Sequence, residues 1–356
     1  MVAIYAPGQT SSISPALAAA FDVFRARLDG ELVTADDPTY DQARSSIQIN
    51  QNRYPLAVVF PLNEGDVRQA IKFIRANNLP LALRSGDHGS GARHRVDGAV
   101  LVDMSRMAHV VVDPATSTAR VQPGANSNMV AAAAHEHGLA LSTGDTGSVG
   151  IGGLATGGGI GFMTRAYGLT IDNMISARVV TASGDLVVAN AIENPDLFWA
   201  IRGGGGNFGI VTEFTFRLAP VDQIVGGFLV LPLSNEVVRG FMELAWNAPE
   251  ELTALGHIMR LPPMPFVPEE SIGQPVLAIL AVWCGDVDKG QAAFDPFRVL
   301  ATPVIDMIHA MPYPEIYRFT DHQGAPHASA VRMMFADNLS DQTIDTLITA
   351  IETASS

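Results

Sequence analysis

The chain contains the sequence Arg84-Ser-Gly-Asp-His88, and two longer glycine clusters follow at 148–161 (SVGIGGLATGGGIG) and 202–209 (RGGGGNFG). The first loop comes directly after a short apolar run at 81–83, which predicts a strand. Because glycine has no Cβ, backbone N–H groups in such loops can turn towards negatively charged oxygens. Three loops of this kind predict a large cofactor that carries phosphate, with His88 placed to touch it.

The composition is typical of a globular protein. The 356 residues are 47% hydrophobic and 16% charged, which is enough for a sizeable core and for two domains. A net charge of -14, with only 22 Lys and Arg residues, argues against nucleic-acid binding. The single cysteine, Cys284, excludes an intramolecular disulfide. The first residues do not resemble a signal peptide and the alanine run at 131–134 is too short for a bilayer, so we expect no membrane segment and a cytoplasmic protein.

A β-α-β unit leads into the first glycine loop. Residues 56–60 predict a buried strand, and a helix with apolar positions 67, 70, 71 and 74 follows it. Asn63 is the expected N-cap of this helix, and Pro80 prevents its continuation. The run at 81–83 then starts the next strand, so the loop lies where ligands commonly bind in mixed α/β folds.

Short strands dominate the next hundred residues. The pattern predicts strands at 100–103, 110–112 and 119–121, a helix at 128–137 with Gly138 at C′, a hairpin of 175–181 with 186–189, and a strand at 210–216. Together these elements predict one α+β cofactor domain at 40–220, after an N-terminal lead-in at 1–39. Trp199 is predicted to belong to the core.

The pattern changes near Pro220. Strands are predicted at 226–231, 256–261 and 276–283, helices at 236–246 and 287–300, and a helical stretch begins at 346. We expect a second domain at 221–356, built of a sheet with covering helices.

A nicotinamide dinucleotide is the first competing cofactor. Residues 150–155 formally fit the pattern G-x-G-x-x-A. A true fingerprint of that kind opens a helix directly after a strand, and the polar residues 142–148 do not predict a strand. The context therefore disfavours NAD.

Several further motifs occur in a fixed order with the glycine clusters, namely YGLTIDN at 167–173, NPDLFW at 194–199 and RGGGGNFGIVT at 202–212. The ordered set resembles the berberine bridge enzyme-like FAD-linked oxidases, which belong to the p-cresol methylhydroxylase-type (PCMH-type) FAD-binding superfamily. The resemblance covers about residues 40 to 220 and continues more loosely to about residue 335. It implies an α+β fold in which a two-subdomain PCMH-type FAD-binding domain is followed by a substrate domain with an antiparallel sheet facing the flavin.

The resemblance also implies which residues hold FAD. Cofactor contacts are expected from Arg84, Ser85, Gly86, Asp87, His88, Gly89, Ser148, Val149, Gly150, Gly152, Gly153, Gly158, Gly159 and the backbone of Ile210. His88 matches the histidine that many members link to the flavin 8α-methyl group. The second tether of the family is a cysteine, whose position aligns with Thr146, so at most one covalent link is expected.

Two departures from the family pattern stand out. Asp87 replaces a usual glycine, and its charge is unfavourable beside a pyrophosphate unless the carboxylate points away. The family's C-terminal segment ends in an Asp-Pro-x-Asn-x-Phe-like run, which has no match in this sequence. We therefore expect a fragment that lacks that segment, and the catalytic base with it.

The function predicted from these features is an FAD-dependent oxidase that removes a hydride from a carbon next to oxygen or nitrogen. Its partners are a small-molecule substrate and an electron acceptor, which is dioxygen or another acceptor. A non-catalytic or degenerate flavin-binding protein is the alternative. No catalytic residue can be assigned, and no metal site is expected from His94, His135 and His137. The remaining candidates, His257, Tyr313, Tyr317 and His322, are predicted to be packing or surface residues.

Overall fold

The structure is a computed structural model that describes residues 13–47, 52–89, 97–263, 267–320, 331–336 and 338–354. His94 and His322 lie outside these residues. Three sheets organise the described chain, and the first two form the two subdomains expected for the cofactor domain.

The first subdomain is a four-stranded sheet with helices. In chain order it contains α1 (Pro15–Arg25), β1 (Glu31–Thr34), α2 (Tyr40–Arg44), β2 (Ala57–Phe60), α3 (Glu64–Ala76), β3 (Leu81–Arg84) and β4 (Val100–Asp103). The sheet order is β1-β2-β4-β3, and β4 runs parallel to both β2 and β3. Strands covered on both faces are apolar throughout, which explains the uninterrupted runs in β2 and β4.

The predicted boundary at residue 40 divides this subdomain. Residues 13–39 were expected to be a lead-in, yet β1 pairs antiparallel with β2 in the first sheet. The buried carboxylate of Asp66 holds the preceding turn by accepting hydrogen bonds from the backbone N–H groups of Asp29 and Gly30. The sequence pattern missed β1 because a four-residue edge strand carries little periodicity.

The second subdomain is a five-stranded antiparallel sheet of order β5-β6-β9-β7-β8. It contains β5 (Val110–Asp113), β6 (Thr118–Val121), α4 (Ser127–His135), α5 (Ile151–Gly157), α6 (Thr164–Tyr167), β7 (Met174–Val180), β8 (Leu186–Asn190), α7 (Pro195–Gly204) and β9 (Ile210–Arg217). The predicted C′ glycine of α4 is confirmed, since Gly138 has φ +66° and the N–H of Leu139 bonds to the carbonyl of Ala134. The prediction for Trp199 is wrong, because its side chain is 74% exposed on α7.

The third sheet lies entirely beyond residue 220. It contains β10 (Gln223–Pro232), α8 (Asn235–Asn247), β11 (Leu252–Arg260), β12 (Pro275–Trp283), α9 (Val287–Ala293), α10 (Asp295–Arg298), β13 (Ile305–Asp306) and β14 (His309–Pro312). All its pairings are antiparallel, in the order β11-β12-β10, with β13 and β14 both paired to β10. The expected antiparallel sheet with covering helices is confirmed. The short strands β13 and β14 were not predicted, and α11 (Asp341–Thr353) begins five residues before the predicted helical stretch.

Helix α3 joins the two subdomains of the cofactor domain. Its buried residues Val67 and Ile71 pack in one core with strand residues of the first sheet and with Val180 and Ile210 of the second sheet. A polar contact reinforces this junction. The carboxylate of Glu64, at the start of α3, accepts hydrogen bonds from Nε and Nη2 of Arg178, each with a nitrogen–oxygen distance of 2.7 Å. The hydroxyl of Thr212 on β9 donates to the same carboxylate at 2.9 Å.

None of the described helices is long and apolar enough to cross a membrane. Within the same described residues, no group of three or more metal-ligating side chains is found.

Replacing Glu64 with Gln should weaken the junction between the two subdomains. The hydrogen bonds from Arg178 hold the pKa of Glu64 below its ordinary value of 4.5. The carboxylate therefore stabilises the fold above that value, and the contribution disappears as the pH falls through the lowered pKa. We expect Glu64→Gln to lower the free energy of unfolding by about 1 kcal/mol at pH 7, with a smaller difference from wild type at pH 3.5.

Urea unfolding at both pH values, with the same cofactor content in each sample, measures this effect. Glu243→Gln removes an exposed carboxylate of α8 and serves as the matched control. A Glu64→Gln protein as stable as wild type at pH 7 would show that the apolar core alone joins the subdomains.

Candidate cofactor and substrate site

The loop after β3, residues 84–89, is anchored by the side chain of Arg84. We call it the histidine loop. The guanidinium of Arg84 is buried and paired with Asp103, with Nε and Oδ2 2.6 Å apart. Its other nitrogens donate to the backbone carbonyls of Ala43 and Ser45. The side chain therefore fixes the loop to the first subdomain, and the predicted cofactor contact of Arg84 is restricted to its backbone.

The histidine loop lies directly against residues 148–153, which we call the serine loop. A Cβ added to Gly86 would lie 2.1 Å from the backbone nitrogen of Gly150, and one added to Gly150 would lie 2.3 Å from the nitrogen of Gly86. No L-side chain can occupy that space. The hydroxyl of Ser85 strengthens the contact by donating to the carbonyl of Pro123, which also accepts a hydrogen bond from the backbone N–H of Gly152 in the serine loop. Gly86 and Gly150 thus let the two loops meet backbone to backbone.

His88 lies across this junction. Its Nε2 is 3.0 Å from the hydroxyl oxygen of Ser148. The imidazole is half-buried, and the contact orients the ring relative to the serine loop. The sequence predicted cofactor contacts for both residues, and the structure brings them together.

The carboxylate of Asp87 would be unfavourable beside a pyrophosphate unless it pointed away, and its contacts show where it points. Its φ is +61°, in the left-handed region that Asp tolerates better than most residues. Its Oδ2 accepts a hydrogen bond from the backbone N–H of Ile47 at 2.9 Å. The carboxylate is therefore turned towards residue 47 of the first subdomain.

The remaining glycines divide into two groups. Cβ atoms added to Gly153, Gly157, Gly158, Gly203 or Gly205 would meet no atom within 4 Å, so their backbones border open space. In contrast, Cβ atoms added to Gly152 and Gly159 would touch Pro123 and Thr170. The first group leaves room for a group that approaches the backbone closely, whereas the second group is needed for internal packing.

Other predicted contacts occupy defined places. Val149 is half-buried and Gly89 is exposed at the last described position of the histidine loop. Ile210 is 1% exposed in the core that joins the subdomains, and pairs with Val180 in the sheet. Only its backbone could therefore face a cofactor. A cavity of about 570 Å³ reaches Ser85, Gly86 and Asp87 from the side of α2, with Arg106 in its lining.

A buried tyrosine network connects the third sheet to the segment that leads into the serine loop. The hydroxyl of Tyr317 contacts the hydroxyl of Thr143 and donates to the carbonyl of Gly144 at 3.2 Å. The hydroxyl of Tyr313 lies 3.0 Å from that of Tyr317. Burial raises the pKa of Tyr317 well above its ordinary value, so the phenol stays protonated as a donor. The sequence could have predicted this contact only from the four-residue spacing of Tyr313 and Tyr317, which places two side chains on one face of a helix.

Two further polar groups lie near this segment. The hydroxyl of Thr320 is 2.9 Å from the carbonyl oxygen of Asp145, and Thr146 donates to the carboxylate of Asp145. His257, on β11, is close enough for Asp145 to raise the pKa of its ring, although burial has the larger and opposite effect. The sequence predicted His257 to be a packing or surface residue because a lone histidine in a strand carries no motif. Its electrostatic interaction with Asp145 depends on the packing of the third sheet.

The loop arrangement fits the cofactor that the sequence predicted. Backbones bordered by open space in both glycine clusters, together with an imidazole at the loop junction, suit an extended dinucleotide such as FAD. No strand directly precedes α5, so the arrangement differs from a nicotinamide dinucleotide fingerprint.

Comparison with known proteins gives the same class. The model of a family described as an FAD binding domain matches residues 55–190. The (R)-6-hydroxynicotine oxidase of Paenarthrobacter nicotinovorans is 30% identical over 319 residues, which are 89% of this chain and 67% of that protein. YgaK of Bacillus subtilis, an uncharacterized FAD-linked oxidoreductase, is 38% identical over 205 residues, or 56% of this chain and 46% of that protein.

A solved structure extends the likeness to the fold. The xylooligosaccharide oxidase from Myceliophthora thermophila, in complex with xylobiose, superposes with a TM-score of 0.72 and 27% identity, covering 86% of this chain and 64% of that one. The fold and the loops therefore define a PCMH-type FAD-binding protein. The chain belongs to the berberine bridge enzyme-like FAD-linked oxidases, and its cofactor is FAD. It spans 46% and 67% of the lengths of the two relatives named above.

Enlarging Gly153 should separate cofactor binding from internal packing. Gly153 lies exposed in α5, where Leu is a better helix former by about 1 kcal/mol. We expect Gly153→Leu to lose most of its FAD while the cofactor-free protein remains as stable as wild type or more so. Flavin absorbance per protein and thermal unfolding of the cofactor-free protein measure the two effects.

Two variants complete this experiment. Ala132→Leu adds the same kind of apolar bulk at an exposed position of α4 and should keep its FAD. Gly86→Ala should lose FAD and stability together, because its Cβ would overlap the backbone of Gly150. Full FAD content in Gly153→Leu would show that this side of α5 does not face the cofactor.

Proposed function

We propose that this chain is the FAD-binding and substrate-facing part of an oxidase that acts on a small organic molecule. The reaction is removal of a hydride from a carbon next to oxygen or nitrogen, with dioxygen as the final electron acceptor. The proposal concerns the activity of a whole protein, and the chain spans 46% and 67% of the lengths of two of its relatives.

One observation carries this proposal. The histidine and serine loops meet backbone to backbone at Gly86 and Gly150, and His88 and Ser148 are in contact at the same junction. When bound, FAD supplies the hydride acceptor and the route of electrons to dioxygen. The chain then has to hold the cofactor through its loops and to present a substrate on the third sheet, which faces the cofactor subdomains.

The relatives support an oxidase without fixing its substrate. Their names include a nicotine-type oxidase and a xylooligosaccharide oxidase, which act on unlike molecules. A non-catalytic flavin-binding protein is the second candidate, because no proton acceptor is assigned from the sequence. An acidic net charge of -14 favours small-molecule partners over nucleic acid. We also propose that the protein is cytoplasmic.

The purified protein should be yellow and should show the near-ultraviolet and blue absorbance bands of flavin. After reconstitution with FAD, substrate-dependent uptake of dioxygen distinguishes an oxidase from a flavin-binding protein without activity. A colourless chain that does not bind FAD but binds NAD tightly would contradict the proposal. A yellow chain that oxidises no member of an alcohol and amine panel would favour the non-catalytic alternative.

We further propose that His88 forms a single covalent link to the flavin 8α-methyl group. The contact between Nε2 and Ser148 fixes the ring, so attachment is expected at Nδ1. Thr146 cannot serve as a second tether, because a hydroxyl is a poor substitute for a thiolate. Cys284 is buried in the third sheet, and burial raises the pKa of its thiol to about 11.

Acid precipitation of the holoprotein tests this link. We expect the flavin to stay in the pellet and to map to a peptide that contains His88. In His88→Ala the acid should release the flavin to the supernatant. The FAD that the native variant binds without a covalent link should be less oxidising than that of wild type. His137→Ala, at an exposed position after α4, is the control and should behave as wild type. Complete release of FAD from wild type would leave His88 as a contact residue.

A further inference from the structure

Three hydrogen bonds tie the histidine loop to residues 43–47, at the end of α2 and directly after it. We call this stretch the clamp segment. Two of the bonds come from the guanidinium of Arg84, which donates to two backbone carbonyls of the segment. The third runs in the opposite direction, because the backbone N–H of Ile47 donates to Oδ2 of Asp87 at 2.9 Å. The first and fourth residues of the loop therefore both hold the clamp segment.

Close packing does not back the loop on this side. The cavity of about 570 Å³ is lined by residues of the clamp segment and by Ser85, Gly86 and Asp87. Protein elements are normally fixed by side chains that fill the space between them. Where a loop borders a cavity, hydrogen bonds have to supply that restraint. The bond between Ile47 and Asp87 joins two residues that both line this cavity, so it restrains the loop where packing does not.

The backbone of Asp87 limits which residues can take this position. Its φ of +61° lies in the left-handed region, which Gly, Asn and Asp adopt more easily than other residues. A glycine would adopt this φ but has no side chain to accept the hydrogen bond. An asparagine would adopt it, keep an oxygen acceptor and lose the negative charge. Substitution by these two residues therefore separates the contact from the charge.

Asp87 and His88 are neighbours in the chain, yet their side chains contact different subdomains. Asp87 accepts the hydrogen bond from Ile47 of the first subdomain, whereas Nε2 of His88 is 3.0 Å from the hydroxyl of Ser148 in the serine loop. Holding Asp87 on one side fixes the backbone from which the imidazole extends on the other. The position of His88 against the serine loop consequently depends on the contact of Asp87.

From this geometry we infer that Asp87 is a positioning residue, whose carboxylate holds the histidine loop on the clamp segment in a fixed shape before FAD binds. Such preorganisation raises affinity, because binding no longer has to order the loop. The carboxylate also has an opposing effect, since its negative charge disfavours a nearby phosphate. The inference rests on the proposed function, in which the histidine loop holds FAD, and it assigns the Asp87 side chain a role other than direct contact with the cofactor.

Amide hydrogen exchange at Ile47 tests the contact directly. Asp87→Gly and Asp87→Asn are each made together with His88→Ala, so that FAD can be removed and returned, and the His88→Ala protein is the parent. Exchange is measured on the FAD-bound and the cofactor-free proteins. We expect the Ile47 amide to exchange roughly tenfold faster or more in Asp87→Gly, because its acceptor is lost, and at the parent rate in Asp87→Asn.

The dissociation constant of FAD, measured by quenching of flavin fluorescence, tests the consequence for the cofactor. Asp87→Gly should bind FAD roughly five- to tenfold more weakly than the parent, although a negative charge has been removed. Asp87→Asn should bind FAD about two- to fivefold more tightly than the parent, because the contact is kept and the repulsion is lost. This gain should shrink at high salt, which screens the charge.

Two control variants should leave both measurements unchanged. Asn78→Gly places a glycine at an exposed left-handed position, with φ +50°, before β3 and therefore at the end of that strand remote from the histidine loop. Asp113→Asn removes an exposed carboxylate at the end of β5.

Two results would overturn the inference. One is an Ile47 amide that exchanges no faster in Asp87→Gly than in the parent, and the other is an Asp87→Asn protein that binds FAD as weakly as Asp87→Gly. A wild-type chain that binds no FAD would refute the proposed function instead. Exchange at Ile47 would then still show whether Asp87 holds the loop.

Discussion

The close approach of Gly86 and Gly150 is the constraint on which the rest of this structure depends. It brings a loop of the first subdomain against a loop of the second, with backbone nitrogens in the space that side chains would fill. The contact would be of little use if the subdomains could move apart. Helix α3 prevents this, because its apolar side packs into both sheets and Glu64 pairs with Arg178 across the junction. Burial and one charge-assisted contact thus hold the loops at the distance that the cofactor requires.

The glycine clusters carry two different physical roles that look the same in the sequence. Gly86, Gly150, Gly152 and Gly159 are small because other parts of the protein occupy the space beside them. Gly153 borders open space with ordinary helical backbone angles, so a side chain there would meet a ligand rather than the protein. Gly158 also borders open space, but its φ of +138° strains any L-side chain. Loss of FAD after substitution of a packing glycine would therefore not identify a cofactor contact. Substitution of Gly153, which is open and has ordinary backbone angles, reports on the cofactor itself.

The third sheet is coupled to the cofactor loops by polar contacts within an apolar interface. Tyr317 reaches from beyond β14 to the backbone of Gly144, and Thr320 reaches Asp145. These contacts fix the segment before the serine loop relative to the sheet that carries His257. A substrate on the sheet and a cofactor on the loops would consequently keep a defined distance, which hydride transfer between them requires.

The sequence by itself determined the class of fold, the order of the cofactor loops and the helix signals at Asn63 and Gly138, because these depend on local backbone chemistry and periodic burial. It also led to the prediction of a single tether at most, since Thr146 aligns with the position where the family has cysteine. It did not reveal the edge strand β1, the exposed position of Trp199, or the neighbourhood of His257 and Asp145. The first is a short strand paired only at an edge, and the last depends on residues more than a hundred positions apart in the sequence. Which glycine packs against the protein and which faces open space is likewise decided only when the subdomains are assembled. A glycine in the sequence does not show what lies beside it in the fold.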